Sequence, residues 1–255
     1  MKYTLLIFVS IVLGSQAVPN SRIVGGFPIT INDAPYQVSI SAETNNGQHF
    51  CGGSIISRRW ILTAAHCTIN FEASELKIRI GSSFHATGGK QVAVKKYVNH
   101  PLYLSESFDY DYALIELKED IELSDKVQII ALVEKDVEVQ TGTPCMVSGW
   151  GLTKNELESR DKLRAVVVPI VDRKVCEMEY QSLVTDRMIC AGVPEGGKNS
   201  CSMDSGGPLV RHNGNKMEQV GIVSWGTIDC KVAGYSGVYA NVAIMRDWIK
   251  EVSGV

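Results

Sequence analysis

The sequence predicts an all-β protein, a barrel or a sandwich, closed by one C-terminal helix. Three observations carry this. Short apolar runs recur between Gly, Asn and Pro breaks at residues 36–40, 53–57, 77–80, 91–97, 112–117, 163–171 and 219–225. The 23 glycines are spread along the chain, and no repeat, low-complexity run or linker divides it. The period changes only at the end, where Met245, Trp248, Ile249 and Val252 share one helical face, so an amphipathic helix packs on the β body.

Ahead of the first strand, Lys2 precedes a mostly apolar run over residues 3–13, broken by Thr4 and Ser10, and a small-residue site at Ser15-Gln16-Ala17. The run is too short to cross a bilayer, so residues 1–17 are expected to be a signal peptide and the protein to be secreted and extracellular. Without residues 1–22 the chain keeps 23 basic and 28 acidic residues, a net of −5. A charged fraction of 21% with no basic excess gives no footprint for nucleic acid, and no later stretch suits a membrane. The charged stretches 118–120 and 155–162 fall between strand candidates and read as solvated loops, the second also as a place for proteolytic nicking.

Seven cysteines in an exported chain suggest disulfides, and the odd count leaves at least one thiol without an internal partner. No CxxC or zinc-like spacing occurs, and no Asn-x-Ser/Thr sequon.

Three contexts concentrate chemistry. Thr63-Ala64-Ala65-His66-Cys67 follows the strand-like Trp60-Ile61-Leu62, and Asp111-Tyr112-Ala113-Leu114 opens another apolar strand. Asp204-Ser205-Gly206-Gly207-Pro208 is a glycine-rich turn that holds a serine at a tight corner. A serine hydroxyl needs a base to take its proton during attack, imidazole titrates near neutrality, and a carboxylate fixes the imidazole's tautomer.

With Ile23-Val24-Gly25-Gly26 and Ser224-Trp225-Gly226 added, these motifs resemble those of the chymotrypsin–trypsin serine proteases, in that family's order and over nearly the whole mature chain. The general flavour is similar to arthropod trypsin-like enzymes. The resemblance implies two six-stranded antiparallel β-barrels with a C-terminal α-helix: a first barrel over about 23–135, a second over about 136–241 and the helix over about 242–253. Catalytic roles fall on Ser205 as nucleophile, His66 as general base and Asp111 as its orienter. Asp109 is a rival two residues away, but only Asp111 directly precedes Tyr-Ala-Leu. The backbone N–H groups of Met203 and Ser205 are implied as the oxyanion hole. Asn199, Ser224, Trp225, Gly226 and Gly237 are implied as the substrate pocket.

Residues 18–22 resemble an activation peptide cut after Arg22, freeing the Ile23 amine to pair with Asp204. The implied disulfides are Cys51–Cys67, Cys176–Cys190 and Cys201–Cys230. Cys145 is left as a free thiol, because relatives pair it with a cysteine where this chain has Arg211. No cofactor is implied. A metal is not expected either, since residues 76–105 contain no Asp or Glu to serve the calcium loop of relatives. Expected partners are protein or peptide substrates, an activating Arg-specific protease and protein protease inhibitors, with the enzyme itself a monomer.

Two residues depart from the pattern. Asn199 stands where trypsins place an aspartate at the pocket floor, so strict Lys/Arg specificity is not expected, although Asp229 near the pocket's edge offers a partial substitute. Met203 stands where the family uses glycine. Either its peptide turns away and one oxyanion donor is lost, or the backbone holds and the side chain only crowds the leaving-group side. The rival to an active endopeptidase is a non-catalytic homologue that binds a protein partner.

Overall fold

The computed structural model describes residues 25–152, 159, 161–181, 183–230 and 232–255. The signal peptide, the activation peptide and the Arg22–Ile23 bond lie outside the described residues. The described chain opens with β1 (Phe27–Pro28), and the next six strands form the first barrel. They are β2 (Gln37–Ala42), β3 (His49–Ile55), β4 (Trp60–Thr63), β5 (Leu76–Ile80), β6 (Lys90–Asn99) and β7 (Ala113–Leu117). Closed in the order β2-β3-β4-β7-β6-β5, they pair antiparallel throughout.

The second half holds β8 (Ala131–Leu132), β9 (Pro144–Gly149), β10 (Arg164–Pro169), β11 (Met188–Ala191), β12 (Pro208–Asn213), β13 (Lys216–Trp225) and β14 (Gly237–Asn241). Its sheet runs β1-β10-β9-β12-β13-β14-β11, with β8 alongside β13 in the one parallel pairing among the described strands. This sheet curls on itself. A bridge between Ile170 and Ala191, flanked by Val171 N–H to Cys190 O at 2.9 Å and Gly192 N–H to Pro169 O at 3.0 Å, brings the end of β10 to β11. The short strands at 27–28 and 131–132 therefore hydrogen-bond to the second sheet, although both lie within the chain range expected for the first barrel.

Strand patterning explains where each side chain goes. In β5, Leu76, Ile78 and Ile80 are buried while Lys77 and Arg79 face outward, the period of two expected of a barrel wall. β2 alternates too, but its polar face is equally buried, because it lies against the second barrel. Polar groups of β2 and its neighbour β3 are paired across the seam: Ser148 Oγ donates to Gln37 Oε1 of β2 at 2.6 Å, and Ser54 Oγ of β3 to Gln219 Oε1 at 2.6 Å. Such bonds offset the cost of burying amides and hydroxyls.

At the C-terminus a short 3-10 turn, Ala243–Met245, leads into α2 (Arg246–Ser253), which ends at Gly254 with φ 78°. Ile249 is buried, and Trp248 and Val252 pack on the core, so the helix covers β7. The seven-residue α1 (Arg173–Glu179) is capped by Asp172, whose carboxylate accepts from Lys174 N–H and Val175 N–H.

Candidate active site

The first barrel supplies an imidazole and a carboxylate. His66 sits on a 3-10 turn, Ala65–Cys67, directly after β4, and the Cys51–Cys67 disulfide ties that turn to β3. Asp111 ends the loop before β7 and is almost wholly buried. Its Oδ1 accepts from His66 N–H at 2.9 Å, and its Oδ2 from His66 Nδ1–H at 2.7 Å and from Ser224 Oγ–H at 2.6 Å. A carboxylate only accepts, so the neutral imidazole carries its proton on Nδ1 and presents the Nε2 lone pair. The Phe108 ring meets the imidazole edge-on with centroids 5.5 Å apart.

The second barrel supplies the serine. Ser205 heads β12 in a turn held by its backbone: Asp204 N–H donates to Cys201 O at 2.9 Å, Gly207 N–H to Asp204 O at 2.9 Å and Gly206 N–H to Val223 O at 2.8 Å. From the other barrel, Gly52 N–H donates to Ser205 O at 2.7 Å. A Cβ on Gly206, at φ 76°, would overlap Thr63 Oγ1 and Gly52 O and come within 3.1 Å of Cys67 Sγ. The serine turn is thus pressed against the disulfide beside His66. Among the described residues no hydrogen bond joins Ser205 Oγ to His66 Nε2, a contact that in resting enzymes often tightens only with substrate.

Next to the serine, Met203 adopts φ 77°, the left-handed conformation that suits glycine. Its carbonyl accepts from His49 Nε2–H at 3.0 Å, and His49 Nδ1 accepts from Ser39 Oγ–H at 2.8 Å. Burial pushes the His49 pKa down to about 3, so this imidazole stays neutral. Asp204 turns inward, where Gly151 N–H at 2.7 Å and Cys201 N–H at 3.0 Å donate to it, and burial pushes its carboxyl up to about 6.

A cavity of about 170 Å³ opens beside Ser205, lined by Asn199, Ser224, Trp225, Gly226 and Gly237 among others. Asn199 is buried, and a Cβ on Gly237 would overlap its Oδ1, so its amide oxygen packs directly against the bare Gly237 in the cavity wall. The Cys201–Cys230 disulfide lines the same wall, while Cys176–Cys190 joins α1 to β11. A larger cavity of about 420 Å³, floored by Val139, Ile170, Val184 and Met188, contains neither His66, Asp111 nor Ser205. Chemistry rather than size therefore picks the smaller one.

Cys145 is buried and unpaired on β9, in register with Arg211 of β12, and burial pushes its thiol up to about 12. In the loop after β5, where the chain lacks acids, the Arg79 guanidinium donates to the carbonyls of His85 at 2.9 Å and Gly88 at 2.6 Å. Sequence reasoning missed three groups: Ser224 as a donor to Asp111, His49 as the tether of Met203, and the Asp109–Arg187 contact discussed below. Ser224 and His49 had local signals, standing in the Ser-Trp-Gly run and two residues before Cys51.

A pair of barrels with this constellation between them defines the class of chymotrypsin-like serine endopeptidases. The profile of the trypsin family matches residues 23–249. Trypsin 5G1 of Aedes aegypti is 51% identical over 238 residues, 92% of this chain and 86% of that protein. Trypsin of Simulium vittatum is 44% identical over 247 residues, covering 94% and 98% of the two chains. The vitellin-degrading protease of Bombyx mori is 38% identical over 239 residues, covering 93% and 88%. The chain belongs to the trypsin family and is a serine endopeptidase that hydrolyses protein substrates.

Proposed function

We propose that Ser205, His66 and Asp111 act as the catalytic triad of a secreted endopeptidase made as an inactive precursor. The observation that carries this is the buried Asp111 carboxylate bonded to His66 at 2.7 Å, with the Ser205 turn anchored against the same disulfide. His66 Nε2 takes the Ser205 hydroxyl proton as Oγ attacks the scissile carbonyl carbon. The resulting oxyanion is received by the N–H groups of Met203 and Ser205. His66 then gives the proton to the leaving amine, and a water, deprotonated in the same way, hydrolyses the acyl-enzyme. The left-handed backbone of Met203 supports a formed oxyanion hole.

Cleavage after Arg22 would free the Ile23 amine, a partner for the buried Asp204 carboxylate. An unpaired buried charge is costly, so the active form waits for that cut. Two of these relatives are named trypsin, yet the Asn199 amide offers no charge to a Lys or Arg side chain, and we read specificity as broader than Lys/Arg. An Arg-specific protease then has to make the activating cut.

The test is a serine-directed fluorophosphonate on the chain after trace trypsin. Labelling of the wild type and none of Ser205→Ala is expected; an unlabelled wild type overturns the reading. Asn199→Asp is expected to raise kcat/KM for P1 Arg relative to P1 Phe, read on paired fluorogenic substrates. An unmoved ratio removes Asn199 from the floor.

A further inference from the structure

The loop that carries Asp111 holds a second carboxylate, Asp109, almost as well buried. Asp109 Oδ2 accepts from Arg187 Nη2 at 2.6 Å, and Oδ1 accepts from Arg187 Nε at 3.1 Å and Thr185 Oγ1 at 2.7 Å. This is a forked, bidentate ion pair. Thr185 and Arg187 immediately precede β11, so the pair crosses from one barrel to the other.

Four consecutive residues of the loop are held this way. The Arg187 guanidinium lies 4.9 Å from the Tyr110 ring centroid. Asp111 accepts from Ser224, and Tyr112 Oη donates to Arg187 O at 2.7 Å and to Asn241 O at 3.0 Å. The loop's backbone is strained as well: Phe108 and Tyr110, on either side of Asp109, both have φ 54°, a conformation that bulky residues rarely adopt. Such a conformation persists only where surrounding contacts over-determine it.

We propose that Asp109 and Arg187 are positioning residues: their ion pair across the barrel seam sets the place of Asp111, and hence of His66, and neutralises a carboxylate two residues from the triad. This rests on the catalytic reading of His66 and Asp111. Neither residue touches substrate. Two consequences separate the proposal from a pair that merely adds stability. Loss of the fork lets the strained loop relax and shifts Asp111. Loss of one partner leaves the other's charge beside the triad, and the two losses act with opposite sign.

The charged and titratable groups facing this loop are His66 and His100 of the first barrel, Tyr103, Glu106 and Tyr112 along the same chain segment, and Arg187 and Asp186 of the second. Only Arg187 forms an ion pair with Asp109 among the described residues. Burial pushes the Asp109 carboxyl up, but the bonds from Arg187 and Thr185 outweigh it and hold the group below its usual range.

The experiment uses activated full-length enzyme, with kcat, KM and the pH profile of kcat/KM read on one fluorogenic peptide and folding checked by Tm. Arg187→Ala is expected to lower kcat by about 10–100-fold with KM little changed, the scale for a misplaced catalytic group. It should also move the acid limb upward, because the bared Asp109 favours imidazolium. Asp109→Asn keeps hydrogen-bonding capacity and bares Arg187, so its acid limb should move downward. Arg187→Lys keeps the charge without the fork, so its limb should stay near wild type while kcat falls part-way; it carries the test if Arg187→Ala does not fold. Folded variants with wild-type kcat, or with both acid limbs moving the same way, overturn the clasp. A wild type that fluorophosphonate labels, with a rate that collapses in Asp111→Asn, keeps the triad reading standing in that case. An inert wild type brings down both.

Discussion

The two loops that meet at the cleft are held by different means. The loop over residues 108–112 is fixed largely by side chains: Asp109, Asp111 and Tyr112 each bond to a side chain or carbonyl of the opposite barrel. The turn over residues 201–207 is fixed mainly through its main chain: its own backbone hydrogen bonds, N–H groups bonded to the Asp204 carboxylate, the Met203 carbonyl held by His49, a disulfide and the absence of a Cβ at Gly206. The difference teaches that the serine side chain can be changed without moving its neighbours, whereas the carboxylate cannot. Asp111 accepts three hydrogen bonds, while no bond holding the serine turn uses Ser205 Oγ.

The largest expected effects test this asymmetry. Ser205→Ala should lower kcat by about 10⁶-fold, the scale for losing a triad nucleophile, and leave Tm within a degree or two. Asp111→Ala should also abolish turnover, but in addition it strands buried donors on His66 and Ser224. Each such donor costs about 1–3 kcal/mol, so Tm should fall by several degrees. Calorimetry of both variants checks the contrast; equal Tm losses would break it.

The same division explains what the sequence could show. β5 with its clean alternation, β7 with its nearly continuous apolar run, and the C-terminal amphipathic face were legible because burial imposes a pattern on the chain. β9, β11, β12 and β14 were not picked out: β9 reads Pro-Cys-Met-Val-Ser-Gly and β14 Gly-Val-Tyr-Ala-Asn, so small and polar residues interrupt the apolar pattern. α1 is only two turns long, too short for a period. The site motifs were visible as local strings. The cross-barrel partners were not, because Asp109 and Arg187 are 78 residues apart and nothing local marks either as the other's partner.

A pH experiment probes the backbone-held turn at an intermediate scale. Burial holds the Asp204 carboxyl near about 6 in the folded chain, against 3.8 for its ordinary value. Between those two pH values the unfolded chain has released this proton and the folded chain has kept it. The group therefore favours folding at low pH, and that contribution is lost as pH rises from about 4 to about 6. Other carboxylates, such as Asp109 and Glu116, are held below their usual range and act in the opposite sense, so the comparison has to be differential. In the uncleaved precursor, the Tm of Asp204→Asn minus that of the wild type should grow more positive across this window. In the cleaved enzyme, where the Ile23 amine is expected to pair with Asp204, the trend should vanish. A flat difference in the precursor would mean that the carboxylate is already paired there.

The smallest expected effect falls on Met203, where a side chain occupies a backbone conformation made for glycine. At φ 77° the left-handed region costs a side-chain-bearing residue about 1–2 kcal/mol. Met203→Gly removes that strain, but glycine gives back about 0.5–1 kcal/mol in the conformational freedom it loses on folding. The net change in stability should be a gain of about 1 kcal/mol or less. Because the carbonyl is already tethered by His49 Nε2–H, the peptide geometry should not move, and kcat on a small amide substrate should stay within about twofold. On the reading that the half-buried methionine side chain occupies the leaving-group side, protein inhibitors that fill that side should bind the glycine variant more tightly. The measurement is a pair of inhibition constants, one for a protein inhibitor and one for a small P1-directed inhibitor, beside kcat. A rise in kcat of about 10²–10³-fold would mean instead that methionine had cost the site an oxyanion donor. The side chain at position 203 would then set the peptide of the serine turn, and the contrast between the two loops would fail at the residue next to the chemistry.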